Sequence, residues 1–336
     1  MAKTPEAAVF GRLDDGTEVY ECRITAGDLE ASIITYGASV RQLRFAGRDM
    51  VLGLNLLDDY LMHASHMGAI AGRCANRIAG GSCEIDGSSV QLTCNEGDNH
   101  LHGGALGFGK RVWSLEQHDK RSVLLKYVSE AGEEGYPGCV EVLCRYTLTG
   151  SGALRIKLTA TTDAPTLVNL AHHSYFNLGD GADVLDHSVE IAADRYLPVD
   201  GQSIPTGEIG KVDWTPYDFR EGRRIRRKAS ETDVIFDHNF CLADAPREKP
   251  EFAAGVDAPD EGVRMEVWTT EPGIQFYDGF KLNVPVDGLE GRRYGAHAGF
   301  CLEPQRWPDS ANHANFAGAF LKPGETYVQV TEYRFA

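Results

Sequence analysis

None of the eight cysteines, Cys22, Cys74, Cys83, Cys94, Cys139, Cys144, Cys241 and Cys301, stands in a CxxC pair, and no two histidines show HxxxH spacing. Zinc-ribbon and helical His–His metal sites are therefore not indicated. No stretch approaches the roughly 18 consecutive apolar residues of a membrane-spanning helix. Met1 to Phe10 contains neither an apolar signal-peptide core nor a small-residue cleavage site, so the expectation is a cytoplasmic protein with reduced thiols. Positive charge is scarce: 33 Lys and Arg face 49 Asp and Glu, a formal charge of −16. That field repels nucleic acid and anionic lipid and is indifferent to a neutral ligand. Also missing are long stretches of helical apolar spacing, an internal repeat, and a glycine-rich loop between a strand and a helix, which argues against a nucleotide-binding α/β fold.

What is present has a period of two. Val140, Val142, Cys144, Tyr146 and Leu148 alternate with polar neighbours such as Glu141 and Arg145. After Gly150-Ser151-Gly152 the pattern resumes at Leu154, Ile156, Leu158 and Ala160, which predicts a β-hairpin. Glu18–Thr25, Leu29–Tyr36 and Val40–Phe45 read as an N-terminal meander. The 37 glycines exceed the usual share of about 7% and suit a fold with many tight turns. The stretch 197–222, rich in Pro and Gly, reads as a linker or a long functional loop. The expectation is one all-β domain, residues 1–336, built as a large antiparallel β-sandwich. The run Arg220, Arg223, Arg224, Arg226, Arg227 and Lys228 is the one basic cluster, read as a solvated loop because no second cluster with interleaved aromatics accompanies it.

Four segments concentrate polar groups amid glycine and aromatics: Gly72–Ile78, Asn99–Gly104, Asn169–Asn177 and Phe300–Pro308. As a strand, the third puts His172 and His173 on opposite faces, so at most one can face a given pocket, which argues against the pair chelating a metal. Glu303 precedes Pro304 in an apolar run, where a strand ends or bends and partial burial would raise a carboxyl pKa. Taken singly, each residue has an ordinary structural reading: Arg73 and Arg77 as ion-pair residues, His100 and His102 as loop side chains.

Together these segments, in this order, resemble the aldose 1-epimerase (galactose mutarotase) family. Further pieces are Tyr196-Leu197-Pro198-Val199-Asp200, Ile204–Glu208, Pro216–Arg220, Phe236-Asp237-His238-Asn239-Phe240 and Glu271–Tyr277. The resemblance implies a galactose mutarotase-like supersandwich that interconverts the α and β anomers of a free aldohexose without metal or coenzyme. It also implies His173 as general acid, Glu303 as general base, and Arg73, His102, Asp237 and Gln275 as residues that hold the sugar. Tyr175 and Trp307 would supply apolar sugar contacts. His172 departs from the family's usual asparagine, and Asp278-Gly279-Phe280-Lys281 departs from its usual Thr-Gly-Asn. A hexose-phosphate 1-epimerase and a non-catalytic sugar-binding protein are the alternatives. The first conflicts with the acidic balance, the second with retention of both His173 and Glu303. No nucleic-acid or membrane partner is expected, and the sequence leaves the oligomeric state open.

Overall fold

Val140–Leu148 and Ala153–Thr162 pair antiparallel from Val140↔Thr162 to Leu148↔Leu154, the hairpin that the alternation predicts. Its inward residues, among them Val142, Cys144, Tyr146, Leu154 and Leu158, are fully buried. The hairpin lies inside a nine-stranded antiparallel sheet that also takes in Tyr327–Phe335, Arg264–Thr269 and Glu251–Asp257. These relationships come from a computed structural model, which describes residues 7–64, 66–226, 234–259 and 262–336.

The predicted meander is a five-stranded sheet containing Glu18–Ala26, Leu29–Ile34 and Ser39–Phe45. A third sheet, also of five strands, contains Asp237–Cys241, Gly273–Tyr277 and Cys301–Gln305. Val40 and Leu43 from the meander, Val142 and Leu158 from the large sheet, and Phe240, Phe276 and Leu302 from the third share one apolar cluster. The sheets thus cover one another's apolar faces, which fits the expected sandwich. Leu57–His63 is the one α-helix among the described residues.

The stretch 197–222 is mostly turns, tied down by the short pairing of Arg195–Tyr196 with Gly210–Lys211. The arginines beside it are neutralised locally. Arg220 bonds Asp194, Asp213 and Asp218, and Arg226 lies 3.3 Å from Asp186. Arg227 and Lys228 lie outside the described residues.

Candidate active site

The third sheet has two chemically different faces, because successive strand residues point to opposite sides. His238, Phe240, Ile274, Phe276 and Leu302 turn one way, and all but His238 enter the main apolar cluster. The alternate set is polar. Asn239, Gln275 and Glu303 stand in a row across three strands, and Asp237, Tyr277 and Cys301 form the next row. Asp237, Tyr277 and Glu303 of this face line a cleft of about 310 Å³, small for a ligand site and suited to a monosaccharide-sized molecule.

His173 enters from the segment after the short strand Ala171–His172. Its Nε2 lies 3.8 Å from Glu303 Oε2, with both side chains nearly inaccessible. Burial pulls His173 down to about 4, partly opposed by a hydrogen bond to its own backbone carbonyl. Burial pushes the Glu303 carboxyl well above the carboxylate range; the Asp237 charge adds to this and Arg77 partly offsets it. Each group's uncharged form is thus favoured, and between them they hold one proton over a wide pH range.

His102 reaches the same corner from a tight loop. It adopts a left-handed φ of 49°, and Gly103 follows because a Cβ there would fall 1.7 Å from the Gly72 carbonyl oxygen. Asn76 donates its backbone N–H to His102 Nδ1 at 3.2 Å. Burial and the neighbouring imidazoles keep this ring neutral, so its single proton sits on Nε2 as a donor for the cleft. The nearest donor atoms of His102, His173 and Glu303 lie within 4.8 Å of one another, a spacing that a cation could also exploit. A protonated Nε2 has no lone pair for a metal, whereas it matches a hydroxyl oxygen.

Asp237 lines the cleft and accepts a 2.7 Å hydrogen bond from Gln275 Nε2, its diagonal neighbour on the adjacent strand. Tyr175 also lines it, its ring 5.2 Å from that of His173. The expected set His102, His173, Asp237, Gln275 and Glu303 is therefore brought together.

Arg73 is not. Its guanidinium is buried and donates to the carbonyls of Ser129, Glu130, Pro137 and Gly138 and to the hydroxyls of Ser129 and Thr166. Both terminal nitrogens of that group are consumed in tying residues 129–138 and Thr166 together, away from the cleft, while its Nε is buried without a partner. The arginine that lines the cleft is Arg77, held bidentately by Glu96 at 2.6 and 2.9 Å and lying 3.7 Å from Asp237. Trp307 is also elsewhere: it is buried against Phe316 and donates Nε1–H to the Pro272 carbonyl.

His66, absent from the sequence expectations, borders the cleft with its ring 4.7 Å from that of His102. Tyr277 and Lys281 also border it. His100 is structural, bonded to the Thr93 carbonyl and the Tyr136 hydroxyl. His172 turns away from His173 and is buried between Tyr146 and Tyr333.

An all-β scaffold with a buried imidazole–carboxylate pair in a small polar cleft defines a protein equipped for proton transfer on a small hydroxylated molecule. The aldose 1-epimerase family model matches residues 20–334. Galactose mutarotase of Bos taurus is 42% identical over 338 residues, covering 98% of both chains. Aldose 1-epimerase of Escherichia coli (strain K12) is 37% identical, with 90% of this chain and 91% of that one aligned. The crystal structure of a GalM/aldose epimerase homologue from C. elegans superposes with a TM-score of 0.88 at 30% identity, covering 94% of this chain and 98% of that one. The chain belongs to the aldose 1-epimerase family.

Proposed function

We propose that this chain is a mutarotase of free aldohexoses such as glucose and galactose, with Glu303 and His173 as its acid–base pair. When the one proton they share sits on His173 and leaves Glu303 ionised, Glu303 removes the proton of the C1 hydroxyl while His173 protonates the ring oxygen, and the bond from C1 to the ring oxygen breaks. The open aldehyde turns about its C1–C2 bond. Reclosure on the other carbonyl face returns one proton from the new C5 hydroxyl to His173 and one from Glu303 to C1 oxygen. Both groups end as they began, and no electrons or external reactants are consumed.

The observation that carries this reading is the 3.8 Å approach of Nε2 and Oε2 in one buried cleft. Two groups sharing one proton always present one acid and one base, which a reversible ring opening requires. His102, Arg77 and Asp237 supply donors and acceptors for the sugar hydroxyls, with Gln275 orienting Asp237. Tyr175 provides a flat wall for the ring. Buried polar groups of this kind penalise ligands that lack matching hydroxyls. Arg77 is engaged by Glu96 and Asp237 rather than free for a phosphate, which favours the unphosphorylated sugar. The chain works as one domain in the cytoplasm on this reading.

Polarimetry on freshly dissolved α-D-glucose and α-D-galactose tests it. Glu303→Gln and His173→Ala are expected to lose roughly 10²- to 10⁴-fold in rate, the worth of one general acid or base. A wild-type rate equal to that of buffer would overturn the catalytic reading, and acceleration confined to a phosphorylated hexose would overturn the substrate.

A further inference from the structure

The strand Cys301–Gln305 approaches the His173 imidazole twice. Cys301 and Glu303 are two residues apart, so their side chains leave the strand on the same face. Glu303 stands 3.8 Å from Nε2, and the Cys301 sulfur stands 3.6 Å from Nδ1. The sulfur is fully buried.

We infer that Cys301 is a positioning residue: its sulfur accepts the Nδ1–H of His173 and so leaves Nε2 as the nitrogen that exchanges protons with the sugar. The inference rests on His173 being the acid of the preceding section. A neutral imidazole carries one N–H. During ring opening Nε2 gives up a proton, and during reclosure it must take one back. It can do so only while the remaining proton stays on Nδ1; a neutral ring protonated on Nε2 would present a donor where an acceptor is required. The acceptor at Nδ1 is the Cys301 sulfur.

The sulfur can serve because it stays a neutral thiol. Burial, with the Glu303 and Asp237 charges, holds its proton well above the ordinary thiol range. A thiol accepts a hydrogen bond weakly, so it fixes the tautomer without forming an ion pair that would lock the imidazolium. The other titratable groups facing His173 are the rings of His66, His102 and Tyr175, with Asp237 acting through space and His172 adjacent in the chain. Among the described residues none of them bonds Nδ1.

The test combines ¹⁵N-histidine NMR with steady-state polarimetry. In the wild-type protein near pH 7, His173 is expected as the Nδ1–H tautomer. Cys301→Ala should populate the Nε2–H form, lower kcat about 5- to 10-fold with KM nearly unchanged, the scale of one hydrogen bond, and move the acid limb of the pH–rate profile to lower pH. Cys301→Ser, which keeps an acceptor, should restore kcat and the tautomer. An Nε2–H tautomer in the unmutated protein overturns the inference without any variant being made. So does Cys301→Ala with unchanged rate and tautomer, or Cys301→Ser as slow as Cys301→Ala. Wild-type rates in both Glu303→Gln and His173→Ala would instead remove the acid–base reading on which the inference stands.

Discussion

Gln275 grips Asp237 diagonally across two antiparallel strands, donating from Nε2 to Oδ1 at 2.7 Å. The bond leaves Asp237 Oδ2 turned toward Arg77, 3.7 Å away, at the edge of the cleft. Replacing Gln275 with Leu frees the carboxylate to rotate. The expected result is a KM raised about 10-fold, the scale of one hydrogen bond to a charged group, with a smaller loss in kcat. Initial rates across a sugar concentration series separate the two, and a pure kcat effect would assign Gln275 to the chemistry instead.

The pH–rate profile should be a broad bell. At low pH both members of the pair are protonated, and activity rises as the first proton leaves His173 near pH 4. Activity falls again when the pair loses its second proton, and burial places that limb well above the usual carboxylate range. The Asp237 charge contributes to that elevation, so Asp237→Asn should move the alkaline limb to lower pH. Arg77→Gln should move it higher, because Arg77 opposes the elevation. Polarimetry with subtraction of the spontaneous rate at each pH reads these shifts, and opposite signs would contradict the assigned electrostatics.

Arg73 and Arg77 should differ in kind. Arg73→Met strands several buried carbonyls and is expected to destabilise the fold by on the order of 3 kcal/mol or more, while KM of the folded fraction stays unchanged. Arg77→Met should do the reverse, raising KM with a smaller stability loss. Thermal unfolding beside sugar saturation curves distinguishes them.

His172 makes the fold sensitive to acid. Burial holds its folded pKa at about 3, below the unfolded value of about 6.5. The unfolded chain therefore binds the extra proton first. Stability present above pH 6.5 is lost as pH falls toward 3, by about 2 kcal/mol at pH 5 from this group alone. His172→Phe, placed between two tyrosine rings, should reduce the stability difference between pH 7 and pH 5. Urea unfolding at both values measures it; an unchanged difference would show that other buried histidines dominate.

Much of this was legible in the sequence because it depends on local pattern. Alternation marks the hairpin from Val140 to Thr162, and the same period of two explains why His172 and His173 part company. The choice between Arg73 and Arg77 was not local. They stand four residues apart, Arg73 in a bend and Arg77 opening the short strand Arg77–Ile78, and what decides between them is the ring of carbonyls near residues 129–138 and the carboxylates of Glu96 and Asp237, which only the folded chain assembles. Trp307 failed as a sugar contact for a related reason: its partners Pro272 and Phe316 bury it within a separate apolar cluster. His66 was missed because no motif surrounds it after the short helix Leu57–His63, and its proximity to His102 joins positions 36 residues apart. The polar row Asn239, Gln275 and Glu303 could have been noticed as every-other-residue polarity inside otherwise apolar segments. Its register across three strands could not.

The strands that carry Asp237, Gln275 and Glu303 on one side carry Phe240, Phe276 and Leu302 on the other. The polar cleft proposed to hold the sugar and the apolar packing are thus the two sides of a single set of backbone hydrogen bonds. Amide protons of Gly273–Tyr277 and Cys301–Gln305 should accordingly be among the slowest to exchange with deuterated solvent, and loss of turnover on heating should coincide with global melting rather than precede it.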